Sequence, residues 1–263
     1  MAIAPTQREA KLIDALVEHY VENSSLVLRF TKQVLIAISD SAELQRLIHS
    51  VKYRTKDPAH LRDKLFRKLE KCKMESKKFD INKDNLFEKI SDLGGIRILH
   101  LYTKQIQEID TQLRGMLEEM KITIAEGPFA RTWDDEYRNF FSKIGISTQP
   151  SPTMYTSVHY VVASNSRTLI TCEIQVRTLM EEVWGEVDHA INYPHKNDSV
   201  ACTEQIRALA RSTSSATRLV DAIFTTVADI DERKTAISPR NGKLVAGKKA
   251  SRPKSAESAK KRG

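Results

Sequence analysis

The spacing of apolar positions divides the chain into a helical start, a central run of strands and a helical end. Leu12, Ala15, Leu16 and His19 recur at helical spacing over 7–22, with charges between them. Asn23-Ser24-Ser25 reads as a break and cap before a second helix over about 25–38. Ser39-Asp40-Ser41 offers another cap, and Leu44, Leu47, Ile48 and Val51 form the stripe of a third helix. Pro58 suits the first turn of a helix capped by Asp57, which runs to about Lys77 on Leu61, Leu65 and Leu69. Gly94-Gly95 marks a turn or a close backbone approach, and Ile96, Ile98 and Leu99 then give a buried strand. An amphipathic helix over 104–120, a strand over 121–125, a short helix over 134–144 and an open loop at Gln149-Pro150-Ser151-Pro152-Thr153 follow. From Ser157 to Ala163, Val158, Tyr160 and Val162 share one face of a strand, His159 and Val161 the other. Asn165-Ser166-Arg167 turns the chain into a returning strand over 168–176. The next helix, over 179–193, has Val183, Trp184, Val187 and Ile191 as its core face and stops at Pro194. A long helix over 201–231 carries Ile206, Leu209, Ala210, Leu219, Ile223 and Val227. The pattern predicts an α+β fold, with packing helices over 1–50, a core over 51–195 and a C-terminal helix over 196–236.

Charge changes this picture at one end only. The net charge is +8, but Lys243 to Gly263 holds eight basic residues and one acid, which leaves +1 for the rest of the 263-residue chain. From Ile237 onward the sequence is poor in apolar residues and reads as a disordered basic tail. Cys72, Cys172 and Cys202 are far apart and odd in number, which points to a reduced, cytoplasmic protein with neither a disulfide framework nor a zinc site. No signal peptide is read at the start, and no apolar run approaches the ~20 residues that span a bilayer, so no membrane association is expected.

Four stretches carry candidate chemistry, and each has a plain structural alternative. On the strand Thr171–Thr178, Glu173, Gln175 and Arg177 lie two apart and share one face, either a wet sheet surface or the floor of a site. Arg54, Lys56, His60 and Lys64 gather around one helix start. They form either a solvated charged helix or a seat for a polyphosphate, since cations at a positive helix end repel one another without an anion. Asp92, at the mouth of a strand, is either a turn residue or a Mg²⁺ ligand. Tyr155, just ahead of a strand, is either a lid over the core or a ring on which a purine stacks.

Together these stretches resemble the synthetase domain of the RelA/SpoT family, in the compact form of the small alarmone synthetases. The resemblance rests on Arg54-x-Lys56-xxx-His60-xxx-Lys64, Asp92-Leu-Gly-Gly-Ile-Arg97, Tyr155-x-Ser157-x-His159 and Glu173-Ile-Gln-Val-Arg-Thr178, in that order, with Trp184 and the Asp188-His189…Tyr193 helix behind them. It covers roughly residues 45–195 and implies a nucleotidyltransferase-like mixed sheet. It also implies transfer of the β,γ-diphosphate of ATP to the 3′-hydroxyl of GDP or GTP. By this resemblance Asp92 and Glu173 hold Mg²⁺, and Glu173 takes the proton of the attacking hydroxyl. Arg54 and Arg97 sandwich the adenine, and Lys56 and Lys64 hold ATP phosphates, with His60 where the family commonly has Ser. Tyr155 stacks on the acceptor base, and His159, Gln175 and Arg177 shape its pocket. Met154 and Thr156 replace the family's usual Gly and its Arg or Gln, and the family's Asp-Tyr-Ile and Pro-Lys are not recognisable in 139–153. The departures fall on the acceptor side. They leave open a toxin-like transfer to the 3′ end of tRNA, or an inactive nucleotide- or RNA-binding domain. The resemblance includes no His-Asp hydrolase domain, and small members of the family often form tetramers through terminal helices.

Overall fold

The computed structural model describes residues 5–151, 153–192 and 197–237. Tyr193, Pro194 and the basic tail lie outside the described residues. Helix α1 (Gln7–Asp40) starts at a capping box between Thr6 and Glu9 and does not break at residues 23–25. Its buried positions Ile13, Leu16, Tyr20, Val27, Phe30, Val34 and Ile38 keep one helical stripe through that point. Asn23 Nδ2 and Ser24 Oγ donate to His19 O and Val21 O (both 2.9 Å), so the polar side chains are satisfied on the helix itself. Helix α2 (Ala42–Leu47), capped by Ser41, is shorter than the predicted third helix, and Val51 falls instead in strand β1 (Ser50–Thr55). That strand is mostly exposed at the sheet edge and lacks a clean alternation, which is why it reads as charged helix.

The remaining elements are α3 (Pro58–Met74), α4 (Leu86–Lys89), β2 (Gly94–His100), α5 (Ile106–Glu119), β3 (Thr123–Thr132), α6 (Asp135–Lys143), β4 (Ser147–Pro150), β5 (Ser157–Ala163), β6 (Thr171–Thr178), α7 (Leu179–Asn192) and α8 (Val200–Ile237). They build one mixed six-stranded sheet in the order β1-β2-β6-β5-β3-β4. The β2–β6 and β3–β4 pairs are parallel and the others antiparallel. Strand β3 outruns the predicted 121–125 because it continues past Gly127-Pro128 through register shifts. Strand β4 occupies the start of the predicted open loop.

Helix α1 lies against β1, β2 and β6 and beside α3. It covers the face on which Ile96, Ile98, Ile174 and Val176 are buried. At Gly94 the approach is so close that a Cβ would stand 2.1 Å from Thr31 Oγ1. The opposite face of the sheet is left for α7 and a cleft. The chain divides into a compact unit up to Asp221 and a second unit from Ala222. Within the second, Ile223 and Val227 are exposed, so that part of the predicted apolar stripe is not core. No described helix is long and apolar enough to cross a membrane.

Candidate active site

Parallel pairing of β2 with β6 sets the floor. Cys172, Ile174 and Val176 point into the core, so Glu173 and Gln175 rise on the other face. Register brings Lys52, Arg97, Gln175 and His159 into one cross-strand row, and Arg54, Gly95 and Glu173 into the next. Gly95 has no side chain, and Arg54 lies over it: a Cβ there would meet Arg54 Cγ at 3.8 Å. Above these rows opens a cleft of about 790 Å³. Asp92, Arg54, Lys64 and Arg97 line one part of it, and Glu173, Tyr155, His159, Gln175 and Arg177 the other. A second cleft of about 570 Å³ shares Arg54, Lys64 and Asp92 and adds Lys56 and His60. The candidate metal-, ATP- and acceptor-binding residues read from the sequence therefore line two clefts that meet at Asp92.

Asp92 sits between two lysines. Lys56 Nζ reaches Oδ2 at 2.8 Å and Lys64 Nζ reaches Oδ1 at 2.7 Å. Burial works against the Asp92 charge, but Lys64 and Lys56 more than offset it and hold its pKa below the ordinary value. Burial also pulls the Lys56 pKa down, against the Asp92 charge. Lys56 is placed by its backbone, whose N–H donates to Leu93 O (2.8 Å) and whose carbonyl accepts from Tyr20 Oη (2.6 Å). Asp57 caps α3 by accepting from Ala59 N and His60 N, and Pro58 opens the helix, as read from the sequence. Arg67, Lys68 and Lys71 also line the second cleft. They follow Lys64 by three, four and seven residues on the same helical face, a spacing that would have found them.

Glu173 accepts from His159 Nδ1 at 2.9 Å and from Gln175 Nε2 at 3.0 Å, one on each oxygen. Burial and the nearby Asp92 charge push its pKa up. The His159 and Gln175 bonds prevail and leave it below the ordinary value. Two ionised carboxylates thus face one cleft. Among the described residues no three His, Cys, Asp or Glu side chains converge on a metal position. This donor set fits Mg²⁺, which takes one or two carboxylates and completes its shell with water and phosphate.

The wall opposite the lysines is α7, and here the sequence reading needs correction. Val183 is 53% exposed, while Glu181 and Glu182 are buried beside Trp184. The helix starts directly after β6, and its first turn lies over the sheet with the two acids turned inward. Glu182 meets Arg97 (2.8 Å), Lys52 (3.2 Å) and Arg177, and Glu186 meets Arg97 (2.5 Å). Arg97 does line the cleft, but its guanidinium is held by α7. Burial lifts the Glu181 pKa to about 7.

Tyr155 leans on Trp184 (ring centroids 6.0 Å apart, 34° between planes), with the Arg177 guanidinium 5.6 Å over its ring and Arg177 NH1 3.3 Å from its hydroxyl. Gly185 makes room for that guanidinium, since a Cβ there would lie 2.7 Å from Arg177 NH1. Trp184 is itself fixed by donating Nε1–H to Ile206 O (3.1 Å) in α8. Met154 has φ 58°, the left-handed region in which a Gly is at ease, which gives a backbone reason for the family's usual Gly there. Arg131 of β3, missed because that strand was cut short, lines the same cleft and sits 5.5 Å over Phe129, which stacks on His159.

The profile described as "Region found in RelA / SpoT proteins" matches residues 53–198, more than half of the chain. No curated protein sequence matches. Among solved structures, small alarmone synthetase 1 from Bacillus subtilis superposes with a TM-score of 0.51 at 19% identity, covering 82% of this chain and 97% of that one. The same enzyme bound to its product pppGpp gives 0.51 at 20% identity, over 81% and 96%. A GTP pyrophosphokinase family protein from Streptococcus pneumoniae gives 0.50 at 17% identity, over 86% and 97%. At these identities the structures speak for the fold, whereas the profile spans both clefts from β1 to the end of α7 and shows that the chain belongs to the RelA/SpoT family.

Proposed function

We propose that the protein transfers the β,γ-diphosphate of ATP to the 3′-hydroxyl of GDP or GTP. The observation that carries this reading is the meeting of Asp92 and Glu173, both ionised, in one cleft with cations on one side and an aromatic ring on the other. The guanosine acceptor is taken from the B. subtilis relative, whose product is pppGpp.

Each group has a task in this reaction. Lys56 and Lys64 turn from Asp92 to the phosphates of ATP, with Arg67 and His60 beside them. Arg54 and Arg97 bracket the adenine once Arg97 leaves Glu182 and Glu186. Tyr155 carries the acceptor base, and Gln175 and Arg177 hold the Tyr155–Glu173 side in place. Asp92 and Glu173 would hold Mg²⁺, which supplies charge neutralisation to the travelling diphosphate. The acceptor 3′-oxygen attacks the β-phosphorus, the bond from that phosphorus to the α,β-bridging oxygen breaks, AMP leaves, and the hydroxyl proton passes to Glu173. Positioning and charge neutralisation account for most of such a transfer.

The test incubates the protein with Mg²⁺ and γ-labelled ATP, and GDP, GTP, ATP or bulk tRNA in separate tubes. Label in a guanosine nucleotide is expected, and label only in tRNA would replace the acceptor assignment. Glu173→Gln should abolish transfer with the fold kept; surviving activity would remove Glu173 from the chemistry.

A further inference from the structure

Beneath Tyr155 the sheet carries a chain of side-chain hydrogen bonds. Ser157 Oγ lies 2.5 Å from His159 Nε2, and His159 Nδ1 lies 2.9 Å from Glu173 Oε1. Gln175 Nε2 donates to Glu173 Oε2 at 3.0 Å, and Tyr155 Oη donates to Gln175 Oε1 at 3.4 Å. All five residues project from one face of the β5–β6 pair or the loop leading into it, where antiparallel register sets His159 opposite Gln175.

The geometry points to Ser157 as a positioning residue that fixes the tautomer of His159 and, through it, the orientation of Glu173. An ionised carboxylate only accepts hydrogen bonds, so Nδ1 must carry the hydrogen that Glu173 receives. In the neutral ring Nε2 then presents a lone pair, and the Ser157 hydroxyl, 2.5 Å away, donates to it. The His159 and Ser157 side chains are closed off from solvent, each residue being 2% exposed, and Phe129 stacks flat on the imidazole at 5.4 Å and 4°. With both nitrogens engaged, His159 acts on the acceptor through Glu173 and not as a direct ligand. The second ring nitrogen decides which way the first one points, as in sites where an outer partner orients an imidazole.

Without the hydroxyl, Nε2 loses its donor, and the opposite tautomer or a turned ring becomes accessible. Either one withdraws the hydrogen from Glu173. The catalytic part of this inference rests on the proposed diphosphate transfer; the tautomer part does not. The test therefore has two arms on the full chain. Nitrogen NMR of histidine-labelled protein at neutral pH, with the His159 signal assigned by its loss in His159→Gln, should show a single Nδ1–H tautomer. In Ser157→Ala the ring nitrogens should move to mixed or reversed values, and Ser157→Thr, which keeps the hydroxyl, should restore them. In the labelled-ATP assay Ser157→Ala should lower kcat about 10- to 100-fold, the range for loss of an orienting partner, with KM for ATP and acceptor within about twofold, and Ser157→Thr should recover most of it. Unchanged His159 ring shifts in Ser157→Ala overturn the inference, whatever the activity. If no variant transfers label but the tautomer shifts as stated, the proposed reaction fails and the positioning role of Ser157 stands. A kcat loss with an unmoved tautomer would leave Ser157 as packing only.

Discussion

Replacing Gly94 by Ala should unseat α1 from the sheet, and the cost can be worked from the structure. The new Cβ would stand 2.1 Å from Thr31 Oγ1, about 1.3 Å inside an ordinary 3.4 Å contact, and 3.2 Å from Val27 Cγ1. Thr31 cannot swing away freely. It is fully buried, and its hydroxyl donates to Val27 O at 2.8 Å. The backbone at Gly94 is no freer, being paired with Thr55 on one side and Cys172 on the other. Overpacking costs typically 1–3 kcal/mol, and two immobile partners put this site at the upper end, about 3 kcal/mol. For a domain of this size that is a fall in Tm of roughly 6–12 °C. Thr31→Ala alone removes one satisfied hydroxyl and a methyl, about 1 kcal/mol. In the double variant the clashing oxygen is gone and the nearest atoms stand at 3.2 and 3.4 Å. The pair should therefore lose about 2 kcal/mol less than the sum of the singles. Urea unfolding followed by far-UV circular dichroism measures all four corners of this cycle. Effects that add to within about 0.5 kcal/mol would refute the contact as the reason for this glycine.

Other expectations follow from the cleft. Gly185→Ala should push Arg177 off the Tyr155 ring and raise the acceptor KM about fivefold or more, since stacking is worth roughly 1–3 kcal/mol, while the KM for ATP holds. Tm should barely fall, because Ala gains about 1 kcal/mol over Gly in a helix; an unmoved acceptor KM counts against the Arg177–Tyr155 arrangement. Glu186→Gln should lower the KM for ATP by up to about fivefold, the most an exposed ion pair is worth, by removing one of the two α7 carboxylates that hold Arg97. A KM that rises or stays would mean that Arg97 does not leave α7 for the adenine. The folded-state pKa of Asp92 is depressed, so the stability it contributes is present above its unfolded value and is lost as pH falls through the folded one. The Tm gap between wild type and Asp92→Asn should therefore shrink as pH drops below about 4, and a gap that widens on acidification would reverse that sign.

The sequence by itself determined the faces on which the candidate residues lie. Period-two alternation is a local property, so Glu173 and Gln175 could be set on one side of a strand and Ile174 and Val176 on the other without knowing any neighbour. Caps are local too, and Asp57 and Pro58 open α3 where expected. The order of the motifs was enough to tie Asp92, Tyr155 and Glu173 to one family. The tertiary structure decided the contacts whose partners are distant along the chain. Gly94-Gly95 was equally a turn or a close approach until α1 brought Thr31 against it. Arg97 was a free cation until α7, some 85 residues later, laid Glu182 and Glu186 over it. Arg54 belonged to a helix start until an exposed edge strand, too charged to show its alternation, paired with β2. Even the asparagine and serines at 23–25 gave a break by propensity that the buried stripe of α1 overrode. Periodicity reports which way a side chain faces along its own element. Which charge it meets there depends on how elements cross, and that is settled by burial of the whole core.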